Sequence, residues 1–315
     1  MENNGDECMA INRKNDYAFK RIFGHEDSKD VLARFLSVVL DVLIKADELT
    51  LLQTELSPEY IGDKSSVLDI QVRRSEFHEK MNIEMQQSKE GNIARRILYY
   101  WGRNFSAELK SSQNYSELPK QISILIADFD VFKWKDSTRF HGVFNVRDQN
   151  EGLIFSDALE IHVLELTKLR KQLLKEKWSA LECWLLYIDN MGGEIMEQIA
   201  TQEPMIRRAM TIEEAFMKSE SERYLYELRE KGRRDFDNAV YMAEQRGEQR
   251  GEQRGEQRGE LRGELRGEVK RNKEIALTML AKNMPLELIA EITGLSIEEL
   301  QTLYLQKGDG ASSQA

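Results

Sequence analysis

Three polar side chains, Asp69, Glu84 and Gln86, lie in two stretches where apolar and polar residues alternate. Alternation with a period of two is typical of strands that bury one face. If the two stretches pair as an antiparallel hairpin, Asp69 faces Glu84 with Cβ atoms roughly 4.5–5.5 Å apart. Two carboxylates this close repel each other, so one takes up a proton or the two share a cation. Oxygen ligands at this spacing suit Mg²⁺, which binds through one or two carboxylates together with substrate phosphates.

The hairpin that positions these residues is predicted to turn at Glu76 and Phe77. Its register pairs Leu68 with Met85, Ile70 with Ile83, and Val72 with Met81. An accidental pair of acids on a solvent-facing strand surface explains the pattern equally well. Apolar residues flank both Asp69 and Glu84, however, which indicates central strand positions rather than frayed ends.

Composition indicates a helix-rich chain without a disulfide framework. Its 315 residues, 41% hydrophobic and 32% charged, suffice for one sizeable core with appendages. Cys8 and Cys183 lie far apart in the sequence, so we expect a reducing compartment. Residues 31–44 form the longest apolar stretch, but Arg34 and Asp41 interrupt it. We therefore predict an amphipathic helix there and no membrane span.

The charge distribution restricts where a polyanion would bind. A net charge of −10 argues against a general nucleic-acid binder, which is usually basic. The charge is uneven, since residues 61–120 carry ten positive and eight negative side chains, whereas residues 1–60 carry seven and twelve. Any contact with DNA should therefore concentrate around the hairpin and the segment after it.

Helices and strands alternate along the first half of the chain. The patterns predict helices at 15–24, 29–45 and 92–110, strands at 49–56, 122–129, 139–147 and 160–167, and mostly helix over 168–230. Helices interleaved with a sheet indicate a layered α/β domain.

A run of four-residue repeats, EQRG four times and ELRG twice, occupies residues 244–267. Each glycine costs a helix about 0.8–1 kcal/mol relative to alanine. The period of four stacks Glu on Glu and Arg on Arg, so local ion pairs do not compensate. We predict a loosely helical, solvated spacer. The alternatives are an arm that follows phosphates and a rod for oligomerisation.

The segment after the repeat is predicted to be helical at 274–282, 285–292 and 297–305. Ala290, Gly294 and Ser296 stand where a helix-turn-helix has a small residue, a turn glycine and an N-cap. The last helix nevertheless begins with Glu298 and Glu299 and has no arginine, whereas a helix that reads a DNA groove needs donors at that end. We favour a small packing or dimerising helical pair over a DNA reader.

The order of elements and the spacing of Asp69 from Glu84-Met85-Gln86 resemble the PD-(D/E)XK nuclease superfamily. Within it, the chain resembles the recombination-promoting nuclease/transposase family. The resemblance covers most of the chain and includes the glycine repeat and a helix pair that ends in TGLS. The runs that carry it are NDYAFKRIFG at 15–24, LDI at 68–70, NIEMQ at 82–86, RRILYYW at 95–101 and LELTKL at 164–169.

The resemblance implies a metal-dependent DNA endonuclease of the bacterial cytoplasm that uses Mg²⁺, with Mn²⁺ as an alternative. It assigns Asp69 and Glu84 as metal ligands. Gln86 takes the place of the superfamily's catalytic lysine, and glutamine can orient a water molecule but cannot supply a positive charge. Arg96 is a candidate phosphate-binding residue. A solvated helix charge is an equally good interpretation of Arg96.

Other polar residues are weaker candidates. The superfamily often has a further acid in its first helix, and Asp16 is the residue available there. His78 and His141 are isolated histidines, and such residues lie on protein surfaces more often than they bind metals.

We predict a three-layer α/β/α restriction-endonuclease-like core with a helical C-terminal extension. The leading function is cleavage of DNA, either promoting recombination or acting on foreign DNA. The alternative is a catalytically degenerate nuclease fold that binds DNA or a protein, and the repeat and C-terminal helices are candidates for homo-oligomerisation. The predicted segments are 1–14 disordered, 15–170 nuclease-like, 171–240 helical extension, 241–271 repeat spacer, 272–307 helical tail and 308–315 disordered.

Overall fold

A computed structural model describes residues 11–52, 70–88, 91–109, 114–173, 175 and 177–309. The strands are β1 (Thr50–Leu52), β2 (Ile70–Arg74), β3 (Glu79–Gln86), β4 (Lys120–Ala127), β5 (His141–Arg147) and β6 (Ile154–Glu165). The helices are α1 (Asp16–Phe23), α2 (Lys29–Leu40), α3 (Ile93–Ala107), α4 (Leu166–Arg170), α5 (Ala180–Ile188), α6 (Gly193–Gln202), α7 (Met205–Lys218), α8 (Glu220–Ala281), α9 (Leu286–Thr293) and α10 (Ile297–Asp309).

The strands form one mixed sheet in the order β1-β2-β3-β4-β6-β5. Strands β3, β4 and β6 are parallel, and the outer pairs are antiparallel. Ile70 pairs with Ile83 and Val72 with Met81, as predicted, around a 3₁₀ turn at Ser75–Phe77. Helices lie on both faces of the sheet. The predicted α/β fold class is therefore confirmed.

One face of the sheet, which we name the apolar face, carries Met81 and Ile83 on β3 and Ile122 and Ile124 on β4. Buried residues of α1, α2, α5, α6 and α7 pack against it in one hydrophobic cluster. Burial of this surface is the main driving force for folding.

The opposite face, which we name the polar face, lies under α3. Ile93 and Ile97 of α3 pack there against Leu125 and Ala127 at one end of β4. The rest of the face is polar and largely buried, with Gln71 and Arg73 on β2, Lys80, Asn82, Glu84 and Gln86 on β3, and Gln121 and Ser123 on β4. The alternation that predicted the hairpin thus separates an apolar layer from a polar one.

Several predicted boundaries differ from the structure. Helix α2 ends at Leu40, not near residue 45, because Asp41 adopts a left-handed conformation with φ 54° that stops the helix. Strand β6 begins at Ile154, earlier than predicted, because its exposed first half pairs with β5. Residues 53–56 of the predicted first strand lie outside the described residues.

The predicted disordered N-terminus is only partly described. Residues 1–10 lie outside the described residues, but residues 11–14 are fixed by contacts. The backbone N–H of Asn12 donates to the Tyr226 hydroxyl over 2.8 Å, and the Arg13 guanidinium pairs with Glu213. The prediction of disorder is therefore wrong for residues 11–14, because long-range polar contacts that sequence periodicity does not show hold them. At the other end of the chain, residues 310–315 lie outside the described residues.

The chain divides into two compact units, Met1–Arg233 and Arg234–Ala315. The whole repeat is α-helical and solvent-exposed within α8. Its Glu, Gln, Arg and Leu residues are good helix formers, so the glycines do not interrupt the helix. Among the described residues, no helix is long and apolar enough to span a membrane.

Candidate active site

Glu84 lies in the middle of the polar face and is almost fully buried. Asn82 Nδ2 donates to Glu84 Oε1 over 3.5 Å, and Glu84 Oε2 is 3.6 Å from a terminal nitrogen of Arg96 on α3. A buried carboxylate is costly unless charge and hydrogen bonds compensate it. The structure therefore brings two predicted site residues together, because Arg96 supplies the positive charge beside Glu84.

Gln86 is the last residue of β3 and lies on the same face as Glu84, two residues further along. It pairs with Ala127 on β4, and its carbonyl accepts a hydrogen bond from the Asp128 N–H over 2.9 Å. In α/β sheets, ligands bind at the carboxyl ends of parallel strands. Gln86, which takes the place of the lysine, is thus half-buried at the carboxyl end of β3, where a substrate is expected.

Asp69, the other predicted metal ligand, lies outside the described residues. Within the part of the chain that the structure describes, no group of three His, Cys, Asp or Glu side chains forms a metal site. The pairing of Asp69 with Glu84 therefore stays a prediction.

The donors beside Glu84 suit a hard cation. Asn82 Oδ1 is buried and has no hydrogen-bond partner among the described residues. A carboxylate and an amide oxygen are ligands that Mg²⁺ and Mn²⁺ accept. The donor set at this position on β3 therefore fits the implied metal.

The weaker candidates are not drawn into this site by any described contact. Asp16 is partly exposed at the start of α1, 3.9 Å from the Arg229 guanidinium. His78 occupies the left-handed position of the hairpin turn with φ 51°. His141 Nε2 is 3.0 Å from His162 Nδ1 on the neighbouring strand.

The histidine pair continues into an ionic line that crosses the sheet from β5 through β6 to β4. His162 Nε2 lies 2.7 Å from a Glu160 oxygen, and Glu160 pairs with Lys120 over 2.7 Å. The hydrogen bond with His162 lowers the pKa of Glu160 to about 2. Burial, together with His162, lowers the pKa of His141 to about 4, so this histidine is neutral at pH 7.

Sequence reasoning missed an ionic cluster at the carboxyl end of β4. Lys14 Nζ lies 2.7 Å from Asp128 and 3.1 Å from Asp189, and Arg170 pairs with both carboxylates. The hydrogen bond with Asp189 raises the pKa of Arg170 further above its ordinary value. Gln87 Nε2 donates to the Lys14 carbonyl over 2.6 Å, so the cluster ties the end of β3 to the segment before α1. Because the four residues come from distant segments, no local spacing indicated them.

A second missed residue, Glu165, is fully buried at the end of β6. Its carboxylate accepts from the backbone N–H groups of Val131 and Phe132, from Trp134 Nε1 and from Lys168 Nζ, over 2.6–3.1 Å. These bonds fix the loop after β4. The run LELTKL contains both Glu165 and Lys168, so the resemblance marked the right segment without giving it a role.

The second unit has its own small core. Ala276, Leu280, Ile289 and Leu300 are buried together where α8, α9 and α10 meet. Gly294 makes the turn after α9 with φ 67°. Gly294 therefore occupies the turn position that the sequence predicted for a helix-turn-helix.

The start of α10 is closed by a reciprocal cap. The Ser296 N–H donates to Glu299 over 2.9 Å, and the Glu299 N–H donates to Ser296 Oγ over 3.2 Å. The Ser296 N–H bond holds the pKa of Glu299 below its usual value. Glu299 is thus used to begin the helix.

Comparison with protein families gives two matches. Residues 13–243 match the family described as PD-(D/E)XK nuclease family transposase. Residues 270–304 match the C-terminal HTH domain of the Rpn/YhgA-like nuclease family. No significant match was found among curated proteins or solved structures. The second match favours the helix-turn-helix interpretation over the packing pair that we preferred, because the matched family is described as an HTH domain, which suggests DNA binding.

Proposed function

Since the chain belongs to the PD-(D/E)XK nuclease family transposases, we propose that it is a metal-dependent endonuclease that hydrolyses DNA phosphodiester bonds. The observation that carries the proposal is the buried Glu84 carboxylate beside Arg96 on the polar face. A role in recombination or against foreign DNA, and a location in a bacterial cytoplasm, follow from the family resemblance and are part of the proposal. The matched families give no support for homo-oligomerisation, so the proposal does not include it.

Asp69 and Glu84 are the proposed ligands of Mg²⁺, with Mn²⁺ as an alternative. Asp69 directly precedes Ile70, and Ile70 pairs with Ile83. The alternation in the sequence predicts that this antiparallel register continues by one residue, which would set Asp69 opposite Glu84 with Cβ atoms roughly 4.5–5.5 Å apart. When bound, the cation lowers the pKa of a water molecule and stabilises negative charge on the phosphate.

Arg96 and Gln86 have separate proposed roles. Arg96 can form charge-assisted hydrogen bonds with a phosphate and already lies 3.6 Å from Glu84. Gln86 orients the attacking water by hydrogen bonding, since its amide offers both a donor and an acceptor. The positive charge that a lysine would bring at position 86 comes, in this proposal, from Arg96.

The test is nicking of supercoiled plasmid with Mg²⁺ or Mn²⁺ and with EDTA. We expect Glu84→Gln and Asp69→Asn to reduce metal-dependent nicking at least about 100-fold, the order expected when an electrostatic group of an active site is removed. The matched control is Glu79→Gln, a carboxylate at the other end of β3 that pairs with Arg74, which should retain activity. Undiminished nicking by both site variants would rule out the assigned site.

The second candidate is a degenerate nuclease fold that binds DNA without cutting it. Glutamine at position 86 favours this candidate, because it lacks the charge of the superfamily's lysine. The HTH match supports DNA binding in either case. Metal-independent retention of plasmid, with no cleavage in Mg²⁺ or Mn²⁺, would select the binder.

A further inference from the structure

Two cations on the polar face share one carboxylate. Arg73 on β2 and Lys80 on β3 lie directly opposite each other. One oxygen of Glu108, at the end of α3, lies 2.7 Å from the Arg73 guanidinium, and the other lies 2.8 Å from Lys80 Nζ. We propose that Arg73 and Lys80 form a binding site for a DNA backbone phosphate, which Glu108 occupies when DNA is absent. This inference rests on the proposed function.

The chemistry of the site suits a phosphodiester. An arginine fork and a lysine ammonium bind phosphate and carboxylate oxygens alike. A phosphodiester carries the same single negative charge as Glu108, so it can replace the carboxylate one for one. Two cations face one anion, and the site therefore keeps a net positive charge whichever anion it holds.

The position of the site fits a strand of DNA that also reaches Glu84. Lys80 and Glu84 lie on the same face of β3, four residues apart, which corresponds to about 13 Å. This distance spans a few nucleotides, because each DNA strand has one phosphate per about 3.4 Å of helix axis. The Arg73 side chain is 40% exposed, so an anion from solvent can reach it.

Polar groups without hydrogen-bond partners lie on the same face as the Glu108 contacts. Asn104 Oδ1, one turn before Glu108 on α3, is buried without a hydrogen-bond partner among the described residues. The same holds for Nε2 of Gln121, which pairs with Lys80 in the sheet, and for Nε2 of Gln71. The side-chain contacts of Glu108 among the described residues are its two ionic ones, with Arg73 and Lys80. The Lys80 and Glu108 side chains are 10% and 15% exposed, so salt screens their pair less than an exposed one, and an incoming anion has to replace both contacts.

The experiment measures binding of a short fluorescent duplex DNA in EDTA, where no cleavage occurs, by anisotropy over a range of salt concentrations. Glu108→Gln keeps the size of the side chain but removes the competing charge. We expect it to bind DNA about five- to tenfold more tightly than wild type, the order expected when one charged competitor is removed.

Arg73→Gln should weaken binding and reduce the slope of log K against log salt by about 1, as expected for one lost phosphate contact. In the double variant, Arg73→Gln should cancel most of the gain from Glu108→Gln. The matched control is Glu203→Gln, which breaks the Arg34 ion pair, where the arginine is 42% and the glutamate 5% exposed. Thermal melts of every variant show whether it remains folded.

A different result is expected if Glu108 only connects α3 to the sheet and competes with no phosphate. Glu108→Gln would then lose stability and bind DNA like wild type and Glu203→Gln, which would overturn the inference. An unchanged salt slope in Arg73→Gln would also overturn it. If wild type does not bind DNA in EDTA, this inference fails, and the proposed function fails with it only if nicking with Mg²⁺ or Mn²⁺ is also absent. If wild type binds DNA and Glu108→Gln does not bind more tightly, this inference alone fails.

Discussion

The apolar and polar faces of the sheet hold their helices by different means. On the apolar face, Phe23, Phe35 and Trp184 are fully buried, and their ring centroids are 5.3–5.9 Å apart. On the polar face, α3 is packed through Ile93 and Ile97 near its start and tied by ion pairs at its end. Apolar burial therefore stabilises the fold mainly from one side, and the other side is left with polar groups that can bind ligands.

The strongest test of this contrast replaces a tryptophan on each side. Trp184→Ala should lower the free energy of unfolding by about 4 kcal/mol, because it opens a cavity in a fully buried cluster. Trp101→Ala, on α3, should cost about half as much, because Trp101 is only partly buried and stacks on Phe105. Urea unfolding measures both values. Equal losses would contradict the contrast between the faces.

The helices on the apolar side were predicted well, because their cause is local. Helix α1 spans Asp16–Phe23, inside the predicted 15–24. Asn15 caps it by accepting from the Tyr17 and Ala18 N–H groups, and Gly24 follows it. The register of β2 with β3 also followed from alternation alone. One buried face fixes register, because a slip of one residue would expose every apolar side chain.

The partners of the polar face could not be predicted in the same way. Glu108 meets Lys80 across 28 positions, so no spacing in the sequence marks this pair. The same holds for Lys14 and Asp128, which meet beyond the end of β4 across 114 positions. Arg96 was identified as a candidate for binding phosphate, but its contact with Glu84 depends on how α3 crosses the sheet. The strand positions of the candidate residues Glu84 and Gln86 thus follow from the alternation, whereas their charge partners depend on tertiary packing.

A second test concerns the ionic line across β5, β6 and β4, whose titrating groups lie on the apolar face. His141 has a pKa of about 4 in the folded protein and about 6.5 when unfolded, so the unfolded state takes up the proton first. The stability that depends on neutral His141 is fully present above pH 6.5 and is lost as pH falls toward 4. His141→Gln should flatten the stability curve between pH 6.5 and 4.5 by about 1 kcal/mol, after allowance for partial exposure.

Urea unfolding at a series of pH values measures this effect. Glu160 provides the internal control, because its pKa is about 2 when folded against an ordinary value of 4.5. Its contribution is present above pH 4.5 and is lost as pH falls toward 2, with or without His141. A variant that keeps the full decline between pH 6.5 and 4.5 would show that another group causes it.

The smallest expected effect is on the polar face. Gln121 is buried, and its Nε2 has no hydrogen-bond partner among the described residues. Gln121→Leu should change the free energy of unfolding by no more than about 0.5 kcal/mol, because an unsatisfied amide is replaced by an apolar group of similar size. Ile122→Ala, the next residue on the apolar face, should cost about 3 kcal/mol. A loss above about 1.5 kcal/mol for Gln121→Leu would contradict this account of the polar face.

The glutamine at position 86 has an evolutionary consequence. It is half-buried at the end of β3, on the face that contributes less to folding. Substitution of Gln86, a proposed catalytic residue, would cost the native state little, so selection on chemistry and selection on foldability would act on separate residues. A lineage with this architecture can exchange, lose or regain its reactive groups while the protein remains folded.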